Sequence, residues 1–197
     1  MLLNRVEYAL MNNPVRAALQ RHVEARRLLA LGGPMRGGTA LELGCGRGIG
    51  AGLILDLFGA RAVHAFDLDP RMVALARRRH RHQPAVRLWA GDAAAIPVAD
   101  ETYDAVFDFG ILHHLPDWRA GLREVRRVLK PNGRFYAEEV LRAFILHPVV
   151  RRTLRHPEDD RFDQHEFQEG MQAAGLAPLA VQTIGSGFAW FIAERQS

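Results

Sequence analysis

Short apolar segments alternate with amphipathic helical patterns along most of this 197-residue chain, and this alternation limits the possible folds more than any other feature. Strands that are joined by helices pair in parallel, and their crossover connections are right-handed. The sequence therefore predicts an α/β protein whose sheet is doubly wound and mostly parallel.

The apolar segments predict seven strands in all. Five are expected to be parallel: Thr39–Leu43, Ala62–Phe66, Val86–Ala90, Ala105–Phe109 and Gly133–Glu138. Two later segments, Leu176–Ile184 and Gly187–Ala193, lie on either side of Gly185-Ser186. Such a short connection is typical of an antiparallel hairpin, so the seven-stranded sheet is expected to carry an antiparallel edge strand.

Helices are predicted between these strands from the spacing of apolar residues and from capping residues. The expected helices are one that follows a glycine-rich loop and ends near Phe58, one from Asp69 to near His82, one from about Asp117 to Leu129, and one from about Gln164 to Ala174. Each helix begins or ends at a residue with a clear capping preference, such as Asp69 before Pro70 or Gly175 after Ala174.

Residues 1–38 are predicted to form an N-terminal helical extension or lid, and residues 39–197 the main domain. The apolar residues of a first helix share one face: Leu3, Val6 and Leu10. Asn13 can cap a second helix that has Pro14 at its first position, where the missing N–H is not needed. This second helix is expected to reach about Leu31.

Composition excludes several classes of protein. Cys45 is the single cysteine, which argues against a disulfide framework and a cysteine-based zinc site, and no metal is expected. No apolar run approaches the ~18 residues that a membrane span needs. The first residues carry charge too early for a signal peptide, so a cytoplasmic location is expected.

The charge balance is only mildly basic. The chain has 26 basic and 22 acidic residues, a formal net charge of +4, which is too small to indicate a nucleic-acid partner. A basic amphipathic helix at residues 14–31 leaves peripheral membrane contact open. The sequence does not indicate an oligomeric state.

A glycine-rich loop directly follows the first predicted strand and opens a helix. Its sequence runs from Leu41 to Gly48, and its glycines let the backbone turn tightly and approach a ligand closely. The free N–H groups of a helix amino terminus suit a carboxylate or a phosphate. One register of the loop, Gly46-x-Gly48-x-x-Ala51, also matches a dinucleotide-binding pattern.

Three acidic residues come at or after the ends of successive strands. Glu42 lies at the start of the glycine loop, Asp67 follows the second strand, and Asp92 follows the third. A carboxylate at the position of Asp67 can accept hydrogen bonds from both hydroxyls of a ribose. Because Glu42 would repel the phosphates of a dinucleotide, this set of acids favours a ligand that carries its own positive charge.

These motifs resemble the class I S-adenosylmethionine-dependent methyltransferases, in the small-molecule subgroup that includes quinone C-methyltransferases. The resemblance covers residues 39–139. Its motifs are the glycine loop, Phe66–Met72, Gly91–Ala93, Leu112–Asp117 and Arg127–Gly133. The family usually has glycine where Asn132 stands, and asparagine also tolerates a left-handed turn.

The resemblance implies a binding site for S-adenosyl-L-methionine with roles for individual residues. The loop residues Glu42, Gly44, Cys45, Gly46 and Gly48 would hold the methionine part of the cofactor. Asp67 would bind the ribose, Leu68 and Met72 would contact the adenine, and Asp92 and Ala93 would read the adenine edge. Asp108 and Phe109 would border the transferred methyl group.

The expected reaction is direct displacement of the methyl group by an O, N or C atom of a small organic acceptor. His113 and His114 are the candidates for a general base, followed by Glu138 and Glu139. Residues 140–175 and the N-terminal extension are expected to form the acceptor pocket, with four aromatic walls: Tyr8, Trp118, Phe144 and Phe162. The sequence does not name the acceptor.

Three other functions remain open at this point. The first is a phospholipid or membrane-surface methyltransferase, which the helix at 14–31 favours. The second is an NAD-type oxidoreductase that uses the glycine loop as a dinucleotide site. The third is a protein that binds S-adenosylmethionine without catalysing a reaction.

Overall fold

A computed structural model describes residues 13–148, Val150 and residues 160–197. The predicted first helix, with Leu3, Val6 and Leu10, and the predicted aromatic wall residue Tyr8 lie outside the described residues.

The described chain contains one seven-stranded sheet with the order β3-β2-β1-β4-β5-β7-β6. Its strands are β1 Thr39–Leu43, β2 Ala62–Asp67, β3 Val86–Ala90, β4 Tyr103–Phe109, β5 Leu129–Val140, β6 Leu176–Ile184 and β7 Phe188–Arg195. The first five strands pair in parallel, whereas β7 is antiparallel to both β5 and β6. The predicted fold class, a mostly parallel seven-stranded α/β sheet with an antiparallel edge, is confirmed.

Two helices precede the first strand and the others lie between strands, and most begin where the sequence predicts. They are α1 Pro14–Leu19, α2 Ala25–Gly32, α3 Ile49–Asp56, α4 Pro70–Arg79, α5 Trp118–Val128, α6 Arg142–Ile145 and α7 Gln164–Ala173. Asn13, Asp69, Asp117 and Asp163 each cap a helix by accepting a backbone N–H. The predicted helix over 13–31 is interrupted by a π-helical turn, Gln20–Glu24, and α3 ends at Asp56 rather than near Phe58.

The strand order reverses between β2-β1 and β1-β4, so the carboxyl ends of these strands border a crevice. In open α/β sheets, ligands bind in such a crevice. Two apolar cores lie on opposite faces of the sheet, one including Trp118 and Phe167 and the other including Phe58 and Tyr136. Both faces are therefore covered, and the crevice at the strand ends remains accessible.

The N-terminal segment, Pro14–Gly32, packs on the Tyr136 face of the sheet. Ala25 and Leu28 are fully buried there. The hydroxyl of Tyr136 donates to the carbonyl of Gly33 at 2.9 Å, and a Cβ atom at Gly32 would lie 2.4 Å from the Tyr136 ring. A side chain at position 32 would therefore push this segment away from the sheet.

Candidate functional site

A cleft of about 350 Å³ lies at the carboxyl ends of β1, β2 and β4. This volume is in the range of small-molecule sites. The glycine loop forms one wall, the turns after β2 and β3 form the second, and the turn after β4 forms the third. Arg16 and Gln20 of the N-terminal segment complete it.

The glycine loop brings bare backbone to the cleft. Four of the residues predicted for the cofactor site line the cleft: Glu42, Gly44, Cys45 and Gly46. Gly44 and Gly46 have φ angles of 59° and 50°, in the left-handed region that favours glycine. No atom lies within 4 Å of the place where a Cβ of Gly46 would stand, so this position faces open space.

Gly48 lies outside the cleft wall. It is the N-cap of α3 with a φ of 81°, and the Nε2 atom of His80 is hydrogen-bonded to its carbonyl oxygen at 2.7 Å. Gly48 therefore shapes the loop from behind. Cys45 is buried, and burial raises the pKa of its thiol, which leaves it a poor nucleophile.

Asp67 connects the glycine loop with the turn after β2. Its Oδ2 atom accepts the Gly46 N–H at 2.9 Å, and its Oδ1 atom accepts the Asp69 N–H at 2.9 Å. Each carboxylate oxygen can accept more than one hydrogen bond, so both can still receive hydroxyl groups from the cleft. Partial burial is the main cause that raises the pKa of Asp67.

Glu42 is a buried carboxyl at the base of the cleft. Its Oε2 atom is inaccessible to solvent and has no hydrogen-bond partner among the described residues, whereas the Ala51 N–H is bonded to the carboxyl. Burial, and secondarily the charge of Asp67, raise the pKa of Glu42 well above its ordinary value. An incoming cationic donor would satisfy Oε2 and favour ionisation.

The wall formed by the turns after β2 and β3 has an apolar part and a polar rim. Leu68 and Met72 line the cleft beside Asp67, and Ala93 lies across from them. Asp92 is at the exposed rim, where its Oδ1 atom accepts the Ala94 N–H at 2.9 Å. This combination offers an apolar slot for a flat ring with an acceptor at its edge.

The two predicted residues at the end of β4 lie on opposite faces of the sheet. Phe109 lines the cleft, but the carboxyl of Asp108 is buried on the other face. Its Oδ1 atom accepts the Ile111 N–H at 2.8 Å. Burial and then the neighbouring Glu139 raise the pKa of Asp108 well above its ordinary value, so it acts as a neutral hydrogen-bonding partner of Glu139.

The two predicted histidines also separate. His114 lines the cleft, whereas His113 is 3% exposed and its Nδ1 atom is 2.6 Å from Oε2 of Glu139. The two rings are in contact, with centroids 4.1 Å apart. His113 therefore supports the His114 ring from below and does not meet a ligand in the cleft.

Glu139 organises the turn that carries His114. Its Oε1 atom accepts the Leu112 N–H at 2.8 Å, and burial raises its pKa to about 7. Arg161 is buried and donates to the carbonyls of His113 and Leu115. Two charged side chains therefore hold this turn: Glu139 of β5 and Arg161, which precedes α7.

Three of the four aromatic residues expected at the acceptor pocket do not line the cleft: Trp118, Phe144 and Phe162. Trp118 and Phe162 pack against each other in the core, with ring centroids 4.8 Å apart. Phe144 packs on Phe188 at 4.7 Å. The cleft wall at this end is formed by Phe109, Ile111 and Leu115.

Two further cleft residues, Arg16 and Gln20 of the N-terminal segment, are not among the predicted site residues. Their i, i+4 spacing puts them on one helical face, a signal that was available but pointed to a solvated surface. The described residues contain no cluster of three or more histidine, cysteine or acidic side chains that could hold a metal ion.

The cleft residues fit S-adenosylmethionine on structural grounds alone. The unpartnered Oε2 atom of Glu42 matches an ammonium group, and the open space at Gly46 allows close approach of a ligand to the backbone. Asp67 matches a ribose diol, and within the described part of the chain no cationic side chain hydrogen-bonds to its carboxylate.

Comparison with known proteins agrees with this geometry. Residues 41–137 match the family model of a methyltransferase domain. A probable S-adenosylmethionine-dependent methyltransferase of Mycolicibacterium smegmatis is 40% identical over 99 residues, which are 50% of this chain and 37% of the relative. A probable phthiotriol/phenolphthiotriol dimycocerosates methyltransferase 2 of Mycobacterium ulcerans is 34% identical over 118 residues, 59% of this chain and 45% of the relative.

Among solved structures, a SAM-dependent methyltransferase from Aquifex aeolicus superimposes with a TM-score of 0.77 at 21% identity, covering 98% of this chain and 99% of that one. The described residues have the strand order and the cleft position of the class I methyltransferase fold. The chain is similar, over residues 41–137, to the methyltransferase domain family, and its curated relatives include a probable S-adenosylmethionine-dependent methyltransferase. It spans less than half the length of the two curated relatives.

Proposed function

We propose that the protein transfers a methyl group from S-adenosyl-L-methionine to a small organic acceptor by direct displacement. The observation that carries this proposal is the unpartnered buried Oε2 atom of Glu42, which lies in the same cleft as Asp67 and the bare backbone of Gly46. When bound, the cofactor supplies a methyl group that its positive sulfur already activates. The protein's own contribution is then alignment and exclusion of water.

In this proposal each cleft residue has a binding role. Glu42 accepts from the amino group, Asp67 accepts from the ribose hydroxyls, and Asp92 with Ala93 contacts the adenine edge. Leu68 and Met72 contact the face of the adenine. Gly44, Cys45 and Gly46 present backbone, while Gly48 and Asp108 hold the loop and the β4 turn from behind.

If the substrate that receives the methyl group must lose a proton, His114 is the proposed general base. It lies on the cleft wall beside Ile111 and Leu115, at the end that Phe109 borders. This apolar wall favours an uncharged acceptor, and a hydroxyl group is the simplest nucleophile that His114 could deprotonate. His113 and Glu139 orient this histidine.

Binding measurements test the cofactor assignment. Titration calorimetry with S-adenosylhomocysteine should show binding to the wild-type protein, and Asp67→Ala should weaken it about 10- to 100-fold by removing charged hydrogen bonds. Asp56→Ala, an exposed residue at the end of α3, is the control and should bind normally. If the protein binds NAD and does not bind S-adenosylhomocysteine, the result would instead support the oxidoreductase hypothesis.

A lipid acceptor is a second candidate, supported by the surface beside the cleft. Val15 is 76% exposed and Leu19 is 46% exposed, one position away from the cleft residues Arg16 and Gln20. Exposed Arg21 and Arg26 follow on the same segment. The relative from Mycobacterium ulcerans is named for a dimycocerosate acceptor. Among the described residues, no helix has the length and apolarity to cross a membrane.

Vesicle sedimentation tests this second candidate. The protein should sediment with phosphatidylglycerol vesicles at low salt and not with phosphatidylcholine vesicles, because the exposed arginines need anionic headgroups. The double variant Val15→Asp, Leu19→Asp should lose binding. The control is Leu179→Asp, Val181→Asp, which changes two exposed apolar residues on β6. Equal loss in both variants would contradict a docking role for the N-terminal segment.

A further inference from the structure

Beside the cleft, two buried acidic side chains and the half-buried Arg16 of the cleft wall form a cluster. Glu24 of the π-helical turn and Glu138 of β5 are each 5% exposed. The Glu138 side chain is hydrogen-bonded to Glu24, and Nη1 of Arg16 is 2.5 Å from Oε2 of Glu24. We call Arg16, Glu24 and Glu138 the clasp.

The clasp joins the N-terminal segment to the sheet beside the cleft. Glu138 is the register partner of Phe109 on β4 and of Trp190 on β7. Its carbonyl oxygen would lie 3.9 Å from a Cβ at Gly110, another cleft residue. The contact between Glu24 and Glu138 therefore lies directly behind the end of the cleft that Phe109 borders.

The two carboxyl groups cannot both be ionised in contact. Neither carboxylate can donate a hydrogen bond, so the contact requires a proton on one of them. Burial first, and then the charge of Glu24, raise the pKa of Glu138 well above its ordinary value, whereas the charge of Arg16 lowers it. Glu138 is thus the member whose surroundings favour the protonated form, and Arg16 pairs with Glu24.

The other charged groups near Glu138 do not supply a positive charge that could take the place of the proton between Glu24 and Glu138. Glu139, the next residue on β5, adds a further negative charge. Arg27 of α2 lies over the ring of Trp190, 4.8 Å from its centroid. The Oε2 atom of Glu138 is buried and accepts no hydrogen bond from a donor among the described residues.

The π-helical turn explains how side chains of one short segment can contact both the sheet and the cleft. It places Glu24 towards the sheet, whereas Arg16 and Gln20 line the cleft. Such turns commonly occur at functional sites because they change which side chains share a helical face. The side chain of Arg16, 21% exposed, belongs to both the clasp and the cleft wall.

We propose that Glu24 and Glu138 are positioning residues, which share one proton and thereby hold Arg16 and Gln20 of the N-terminal segment on the cleft wall. The wall that they complete is part of the proposed cofactor and acceptor site, so the effect on ligand affinity rests on the proposed function. The effect on the N-terminal segment itself does not.

The expected pH dependence follows from the sign of the Glu138 shift. A carboxyl whose pKa is higher when the segment is docked favours docking at low pH. Docking weakens as the pH rises from the ordinary glutamate range towards the raised pKa, because the undocked state then gains from ionisation. Asp67 and Glu42 also titrate in the cleft, so comparison with a variant of Glu138 isolates the clasp.

Hydrogen exchange and calorimetry on the full chain test the proposal. In Glu138→Gln the amide keeps a donor for Glu24 and cannot ionise. As the pH rises above about 5, beyond the ordinary range of a glutamate carboxyl, exchange of the amides of residues 15–24, corrected for the intrinsic rate, should accelerate in the wild type and stay constant in this variant. Glu194→Gln on β7 is the control and should behave as the wild type.

S-adenosylhomocysteine affinity provides the second measurement. Over the same pH range, the wild type should lose about five- to tenfold in affinity relative to Glu138→Gln. Glu24→Gln, which removes the repulsion from the other side, should also show a smaller pH effect on exchange. These two variants keep the proposal testable if one of them folds poorly.

Two results would separate the possible failures. Equal pH dependence of exchange in the wild type and Glu138→Gln would overturn the positioning role. Absence of S-adenosylhomocysteine binding at every pH would overturn the proposed function, while the exchange measurement would still report on the clasp.

Discussion

At the scale of single residues, Glu42 shows how a buried carboxyl is prepared for a cation. It is 2% exposed, and burial raises its pKa well above the ordinary value, which favours the neutral form until a positive group arrives. Peptide atoms and the nearby Asp67 do not supply such a group. Binding of an ammonium group at Oε2 would favour ionisation, so cofactor binding and proton release at Glu42 are linked.

We therefore expect S-adenosylhomocysteine binding near neutral pH to release a proton. Calorimetry in buffers with different ionisation enthalpies measures this release directly. Glu42→Gln should abolish the Glu42 contribution and weaken binding about tenfold or more, because a charged hydrogen bond is lost. A release that Glu42→Gln leaves unchanged would assign the proton to another group, such as Asp67.

The residue scale also shows what sequence patterns leave undetermined. The motif at the end of β4 predicts that both Asp108 and Phe109 border the methyl group, but side chains alternate between the faces of a strand. Phe109 lines the cleft and Asp108 bonds to the turn behind it. The same alternation separates Glu138 from Glu139, which belong to clusters on opposite faces of β5.

At the scale of elements, α3 carries two glycines with opposite surroundings. A Cβ at Gly50 would lie 1.9 Å from Oε1 of Glu42 and 3.0 Å from the Phe109 ring. At Gly52 the nearest atom would be Cε1 of His80 at 3.6 Å, an ordinary contact. The face of α3 that carries Gly50 therefore packs too closely against Glu42 for a side chain, whereas the face that carries Gly52 has room for one.

Substitution by alanine should give effects of opposite sign at these two positions. Gly52→Ala should stabilise the protein by about 0.5–1 kcal/mol through helix propensity, with unchanged cofactor affinity. Gly50→Ala should displace Glu42 and lower both the melting temperature and the affinity. Thermal unfolding and calorimetry measure the pair, and equal effects would contradict the close packing at Gly50.

Most elements of the sheet were predictable because local signals agree. Apolar strands, capping aspartates and left-handed glycines each indicate the same boundaries. Even Asn132, which replaces the usual glycine, adopts a φ of 60°. The π-helical turn was not predictable, because no capping residue or local motif marks Gln20–Glu24 within the longer helical pattern.

At the scale of the whole molecule, ligand binding at the cleft should stabilise the entire described domain. The cleft connects the glycine loop, the turns after β2, β3 and β4, and the N-terminal segment. A ligand that binds only the folded protein adds about 2.7 kcal/mol at a concentration of 100 times its Kd. For a chain of this size, this corresponds to a rise in Tm of roughly 5–10 °C.

Differential scanning calorimetry with S-adenosylhomocysteine should show this rise in the wild type. Asp67→Ala should show a much smaller rise at the same ligand concentration, and NAD should give none. A comparable rise with NAD would favour a dinucleotide site in the same cleft.

The interior position of β7 has a consequence for how the chain is made. β6 pairs only with β7 within the described sheet, yet β6 precedes it in the sequence. During synthesis on the ribosome, β6 thus emerges before its partner β7. One edge of β5 also stays unpaired until residues 188–195 of β7 have been synthesised. The half of the sheet that holds Glu138 and Glu139 is therefore completed late, after the cofactor-binding half can already have assembled.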